Sequence, residues 1–179
     1  MKQFNLIVST FRFREEEAQD EALDLLESFG DPEAICEITE IKGILLAQTS
    51  IEPTEVVDKL KKITASEPWQ VRYILRVLPV MRVVPTELDG ISAAASEFGD
   101  RIGPEESFRI TVEKRHTSLE SMEIITAIAS RIQRKVNLEN PDWLILVQIL
   151  GAKSGVSVLR PEQLFSSVVE KRREEGRDY

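Results

Sequence analysis

Phe4, Leu6 and Val8 alternate with Asn5, Ile7 and Ser9, the period of a strand, and Ile7 on the second face predicts that this strand is covered or central. The period lengthens to that of a helix over 15–29, with Ala18, Ala22, Leu25, Leu26 and Phe29 facing inward and a first turn of glutamates that suits the helix dipole. Gly30-Asp31-Pro32 stops it. Two short strand candidates follow at 35–39 and 43–49, joined by a turn near Lys42 and Gly43. Pro53 opens a second helix carrying Val56, Val57, Leu60 and Ile63, and Trp69 to Leu78 alternates again as a strand. Strand, helix, strand, strand, helix, strand is the order of a ferredoxin-like domain, with an antiparallel sheet and both helices on one face.

Pro79 and Pro85 mark a join, after which Thr86 is placed to cap a helix reaching Phe98. Phe108, Ile110 and Val112 alternate with Arg109, Thr111 and Glu113 as the next strand. A helix is predicted from Leu119 to Val136, with Arg131, Arg134 and Lys135 on its outer face. Trp143 to Ile149 is an apolar run too short for an ordinary helix, so it predicts a central strand. Gly151 to Gly155 forms a turn with Lys153 at its tip, Val156 and Val158 return as a partner strand, and a final helix over 162–172 turns Leu164, Phe165, Val168 and Val169 inward. The expected fold is therefore α+β, with a first domain over 1–79, a second over 80–170 and a charged tail over 171–179.

Composition narrows the function classes. The net charge of −8 lies in residues 1–69, which hold 7 Lys/Arg against 15 Asp/Glu, whereas residues 70–179 are balanced at 16 against 16. A polyanion is therefore expected to meet the second part. The single cysteine, Cys36, allows no internal disulfide and no Cys-rich zinc site, and the single histidine, His116, allows no His cluster. No cofactor or metal is expected. The first residues lack the pattern of a signal peptide and no stretch approaches the length of a membrane span, so a cytoplasmic location is expected.

No catalytic constellation emerges. Cys36 falls on an apolar strand far in sequence from His116, which is read as a surface residue at a strand end or as an RNA contact. Gly151-Ala152-Lys153-Ser154-Gly155 lacks the spacing of a phosphate-binding loop and the helix that should follow one. The basic residues are the candidates instead: Arg109, Lys114, Arg115 and His116 on or after one strand, Lys153 at the hairpin, and Arg76 and Arg82 near the join. Aromatic residues are sparse and mostly inward by phase, which favours recognition of RNA by shape and backbone over base stacking, and Trp69 and Trp143 are read as core or domain-interface residues.

FRITVEKRHTS at Phe108–Ser118, the helix SMEIITAIASRI and VNLENPDWLILVQILGAKSGVSVLRPEQLF at Val136–Phe165 resemble a THUMP domain. A ferredoxin-like domain ahead of it is usual for that family, so the resemblance covers residues 1–170. It is most similar to the stand-alone adaptors of tRNA cytidine acetylation, because the chain ends soon after this unit and is expected to lack a catalytic domain of its own. The resemblance implies a non-catalytic protein that grips the acceptor stem and 3′ end of tRNA and presents it to a separate modifying enzyme, a cytidine acetyltransferase. Lys114, Arg115 and His116 match the family's basic cluster after the same strand. The alternative class is a protein-interaction module without specific RNA binding.

Overall fold

The structure is a computed structural model that describes residues 1–176, and the chain divides into two compact units. The first comprises Met1–Pro79 together with the segment from Glu162 onward. Its elements are β1 (Leu6–Thr10), α1 (Glu15–Ser28), β2 (Ile35–Ile38), β3 (Ile44–Gln48), α2 (Pro53–Ser66) and β4 (Ile74–Pro79). The sheet order β4-β1-β3-β2 is antiparallel throughout and is that of the ferredoxin-like fold. Ala18, Ala22, Leu25 and Leu26 of α1 and Val56, Val57 and Leu60 of α2 bury against Leu6, Val8, Leu45, Ala47, Ile74 and Val77, so both helices cover one face, as the two periodicities require. Gly30, at φ +114, releases the chain from α1. The carboxylate of Asp31 then accepts hydrogen bonds from Thr49 Oγ1 at 2.6 Å, Ser50 N at 2.8 Å and Glu33 N at 3.2 Å, tying the end of β3 to the helix terminus.

The second unit, Val80–Pro161, contains β5 (Arg82–Pro85), α3 (Leu88–Gly99), β6 (Ser107–Arg115), α4 (Ser121–Ala129), β7 (Lys135–Val136), β8 (Trp143–Leu150) and β9 (Lys153–Leu159). The sheet order is β5-β9-β8-β6-β7, with β6 parallel to both β7 and β8 and the other pairs antiparallel. Phe108, Ile145, Val147, Ile149, Val156 and Val158 form one face and pack with Ile91, Ala94 and Ala95 of α3 and Ile124 and Ile128 of α4. β8 lies in the middle of this sheet and is buried at all eight positions, the outcome its unbroken apolar run predicts.

Three expectations are corrected. The helix predicted to reach Val136 ends at Ala129, because the chain must leave it to set Lys135 and Val136 beside Ser107 and Phe108. Ile132 still continues the apolar stripe, folding against Gly99, but Arg131, Arg134 and Lys135 lie beyond the helix. The hairpin turn is tighter than expected, so Lys153 is the first residue of β9 and not a projecting tip.

The third correction moves a domain boundary. The segment 162–170, expected in the second domain, belongs to the first unit. β10 (Phe165–Ser166) pairs antiparallel with β4 and adds a fifth strand to the first sheet, and Phe165 is buried in that unit's core. The final helix is α5 (Ser167–Glu175), capped by the Ser166 hydroxyl accepting from Val169 N, and it leaves Val168 and Val169 exposed. The expected tail over 171–179 is helical to Glu175, and its last three residues lie outside those described.

Candidate nucleic-acid interface

Because β6 and β8 run parallel and β9 returns from β8, one end of the second sheet gathers the end of β6, the β8–β9 turn and the end of β5. The turn is fixed by its backbone. Gly151 sits at φ +66, its N–H donates to the Arg115 carbonyl at 2.9 Å, and its own carbonyl accepts from Thr86 Oγ1 at 2.8 Å. Thr86 N donates to the Ala152 carbonyl at 3.0 Å, and Pro85 stands opposite Lys153. Lys114, Arg115, His116 and Lys153 are thereby brought to one end of the sheet from two separate parts of the chain. Thr86, expected to cap α3, does not do so, since Glu87 holds that position; its hydroxyl bonds the Gly151 carbonyl instead and is the clasp that joins the third segment to them.

The four side chains differ in availability. Lys114 is exposed, donating to the Leu119 carbonyl at 3.2 Å, with Glu120 at 3.7 Å. His116 is exposed and adopts φ +57, a left-handed conformation that turns the chain away from the strand. Arg115 is 22% exposed and engaged within the unit, with Nη1 donating to Gln148 Oε1 at 3.1 Å and Nη2 to Glu113 Oε2 at 3.0 Å. Lys153 is half-buried. The cluster therefore presents Lys114 and His116 outward, with Arg115 bracing the strand beneath them.

The remaining candidates do not join it. Arg109 lies six residues earlier on β6, about 20 Å away along the strand. Its Nη1 donates to the Leu138 carbonyl at 2.9 Å, bracing the loop before β8, and its Nε is buried without a hydrogen-bond partner. Arg82, on the edge strand β5, pairs with Glu97 at 2.9 Å and lies over the Phe98 ring at 5.5 Å. Arg76 is exposed on β4 of the first unit.

The other end of the second sheet is a structural cluster. Arg160 stacks on Trp143 at 4.0 Å from the ring centroid and bonds the Glu106 carboxylate, which also accepts from Trp143 Nε1 at 3.0 Å and Gly103 N at 2.9 Å. Those hydrogen bonds, from Trp143 first and then Arg160 and Gly103, hold the Glu106 carboxyl down at about 2. Trp143 is buried, in keeping with its expected core role, whereas Trp69 is 65% exposed. Burial pushes the Cys36 thiol up to about 12, which makes it a poor nucleophile. No group of three or more His, Cys, Asp or Glu among the described residues is arranged to hold a metal ion, and no described helix is long and apolar enough to cross a membrane.

Sequence reasoning placed the aromatic residues mostly inward, and besides Trp69 one loop departs from this. Phe11 and Phe13 lie in solvent between β1 and α1, alternating with Arg12 and Arg14. The signal was present as Phe-Arg-Phe-Arg, but its phase continues that of β1 and so conceals the end of the strand.

Residues 85–159 match the family model of the THUMP domain. The chain is 26% identical over 132 residues to THUMP domain-containing protein 1 of Bos taurus, an alignment that takes in 68% of this chain and 37% of the relative. Among solved structures it is similar to PH1313 of Pyrococcus horikoshii Ot3, with a TM-score of 0.66 at 18% identity over 88% of this chain and 55% of that one. It is also similar to a 4-thiouridine synthetase solved with RNA and bound ATP, with a TM-score of 0.51 at 14% identity over 88% of this chain and 42% of that one. The chain thus spans a minority of the curated relative's length, and the likeness to the solved structures is one of fold.

Proposed function

We propose, from the premise that residues 85–159 form a THUMP domain, that this chain is an RNA-binding accessory protein acting in tRNA modification. It grips the acceptor arm and 3′ end of tRNA and presents them to a separate enzyme, a cytidine acetyltransferase forming N4-acetylcytidine, without catalysing the reaction itself. The observation that carries this reading is the meeting of Lys114, His116 and Lys153 at one end of the sheet, where the Gly151 turn and Thr86 fix the backbone. Cations on a rigid sheet end suit phosphate contacts that set position and orientation, while the choice of base to be modified is left to the partner. The fold's likeness to a synthetase solved with RNA supports the nucleic-acid part. The resemblance at Phe108–Ser118 and Val136–Phe165 supports the THUMP and RNA-binding part.

The test is tRNA binding across a salt series with the full chain and a Lys114→Gln/His116→Ala/Lys153→Gln variant. The expected result is weaker binding and a shallower salt dependence, with the log–log slope reduced by about 0.7 to 0.9 for each phosphate that the variant no longer neutralises. An unchanged slope would remove this end of the sheet from the interface. Recovery of a cytidine acetyltransferase with the tagged chain from its native cells checks the partner.

A further inference from the structure

The loop between β1 and α1 reads Phe11-Arg12-Phe13-Arg14 and exposes two of the chain's seven phenylalanines. Phe11 is 51% and Phe13 81% exposed, although burying either ring would favour folding. Phe13 also sits at φ +68, in the left-handed region where a side chain with a β-carbon is disfavoured. Exposure and backbone strain coincide at one aromatic residue, a combination that folding alone does not select.

The loop is nevertheless held firmly. Arg14 N donates to the Phe11 carbonyl at 3.1 Å, closing a turn, and Thr10 N donates to the Gly43 carbonyl at 2.9 Å. Gly43 N donates to Glu15 Oε1 at 2.9 Å, so the β2–β3 turn is fastened to both ends of the loop. This brings the Lys42 ammonium to 5.7 Å from the centroid of the Phe13 ring. Arg12, Arg14 and Lys42 are exposed, but so are Glu16 and Glu40 on the same two segments, and Arg14 is paired with Glu17 at 2.9 Å. The surface is nearly balanced in charge, and what distinguishes it is ring faces interleaved with cations.

We propose that the Phe11–Arg14 loop is a stacking platform for unpaired nucleotides of the RNA, with Phe13 and Phe11 receiving bases and Arg12 and Lys42 facing the backbone beside them. The proposal rests on the RNA-binding reading above and extends it to the acidic first unit, which the charge distribution had set aside. Bases suit this surface because each has a flat π-face and tolerates a cation at its edge. An apolar protein partner would need a continuous greasy patch, and the arginines interrupt one.

The experiment uses the full chain and two labelled RNAs: a hairpin with an unpaired single-stranded extension, and the same hairpin with a blunt end. Phe13→Gly removes the ring at a φ that glycine adopts freely, so its thermal midpoint should not fall; Phe13→Trp keeps a stacking face, and Phe11→Leu tests the second ring. The expected result is an affinity for the extended hairpin lower by about tenfold in Phe13→Gly, largely retained in Phe13→Trp and reduced in Phe11→Leu. The blunt hairpin should be unaffected, and the ratio between wild type and Phe13→Gly should be similar at low and high salt, because stacking releases few counterions. Unchanged binding of the extended hairpin by Phe13→Gly, or an equal loss on both hairpins, overturns the platform. Wild-type chain that binds neither RNA overturns the RNA reading and the platform together, whereas wild type and Phe13→Gly binding both hairpins alike overturns the platform alone. Loss of a co-purifying protein in Phe13→Gly with RNA affinity intact would assign the loop to a protein partner and overturn the proposal.

Discussion

Arg115→Ala is expected to be as much a stability mutation as a binding one. Gln148 is only 2% exposed, its Oε1 accepts from Arg115 Nη1, and its Nε2 has no partner. Removing the guanidinium leaves the buried oxygen unpaired as well, a loss on the order of 1–3 kcal/mol. The contact to Glu113 adds less, because that carboxylate is 32% exposed and such pairs contribute roughly 0–1 kcal/mol. The sum is about 2 kcal/mol. Gln148→Leu should cost under about 1 kcal/mol, or even stabilise, because it replaces a half-satisfied amide with an apolar group of similar size while Arg115 keeps Glu113 and access to water. In the double variant the oxygen that Arg115 satisfied is gone, so the two costs should fall short of additivity by about 1 kcal/mol or more. Urea unfolding of the four proteins in a Trp69→Phe background, where Trp143 of the same unit supplies the tryptophan fluorescence, measures each value, with constant m confirming comparable transitions. Additive costs within about 0.3 kcal/mol would show that the Arg115–Gln148 bond carries no buried-polar penalty.

Gly43→Ala should destabilise the first unit by more than about 2 kcal/mol, because φ is +79 and a β-carbon would lie 2.8 Å from the Thr10 carbonyl oxygen; its urea midpoint checks this, and Lys42 should lose its place over Phe13. The Glu106 carboxyl lies below its ordinary value of 4.5, at about 2, so its contribution to the second unit's stability is fully present above pH 4.5 and is lost as the pH falls through about 2. Glu106→Gln should therefore be less stable than wild type at neutral pH and the difference should shrink on acidification across that window, as pH-dependent thermal unfolding would show.

Much of the fold was legible because it rests on period and punctuation. The alternation at Leu6–Val8, the stripe Ala18–Ala22–Leu25 and the unbroken run at Trp143–Leu150 each name their element. What was misread depended on distant partners. Nothing local tells Phe165 to extend beside Val77 on β4 instead of continuing a helix, and nothing local stops α4 before Arg131 until the pairing of Lys135 with Ser107 is known. The candidate site divided in the same way. The end of β6 identified Lys114 and His116, while the engagement of Arg115 by Gln148 and of Arg109 by the Leu138 carbonyl follows from cross-strand register and loop position.

The pairing of β10 with β4 makes the first unit discontinuous in sequence, with the whole of the second threaded between its last two strands. During synthesis the ribosome must therefore release the entire inserted module before the strip that covers the flank of β4 becomes available. Until then that flank carries unsatisfied backbone groups and an empty seat for the Phe165 ring, which makes the nascent chain most prone to wrong pairing while the second unit is being made.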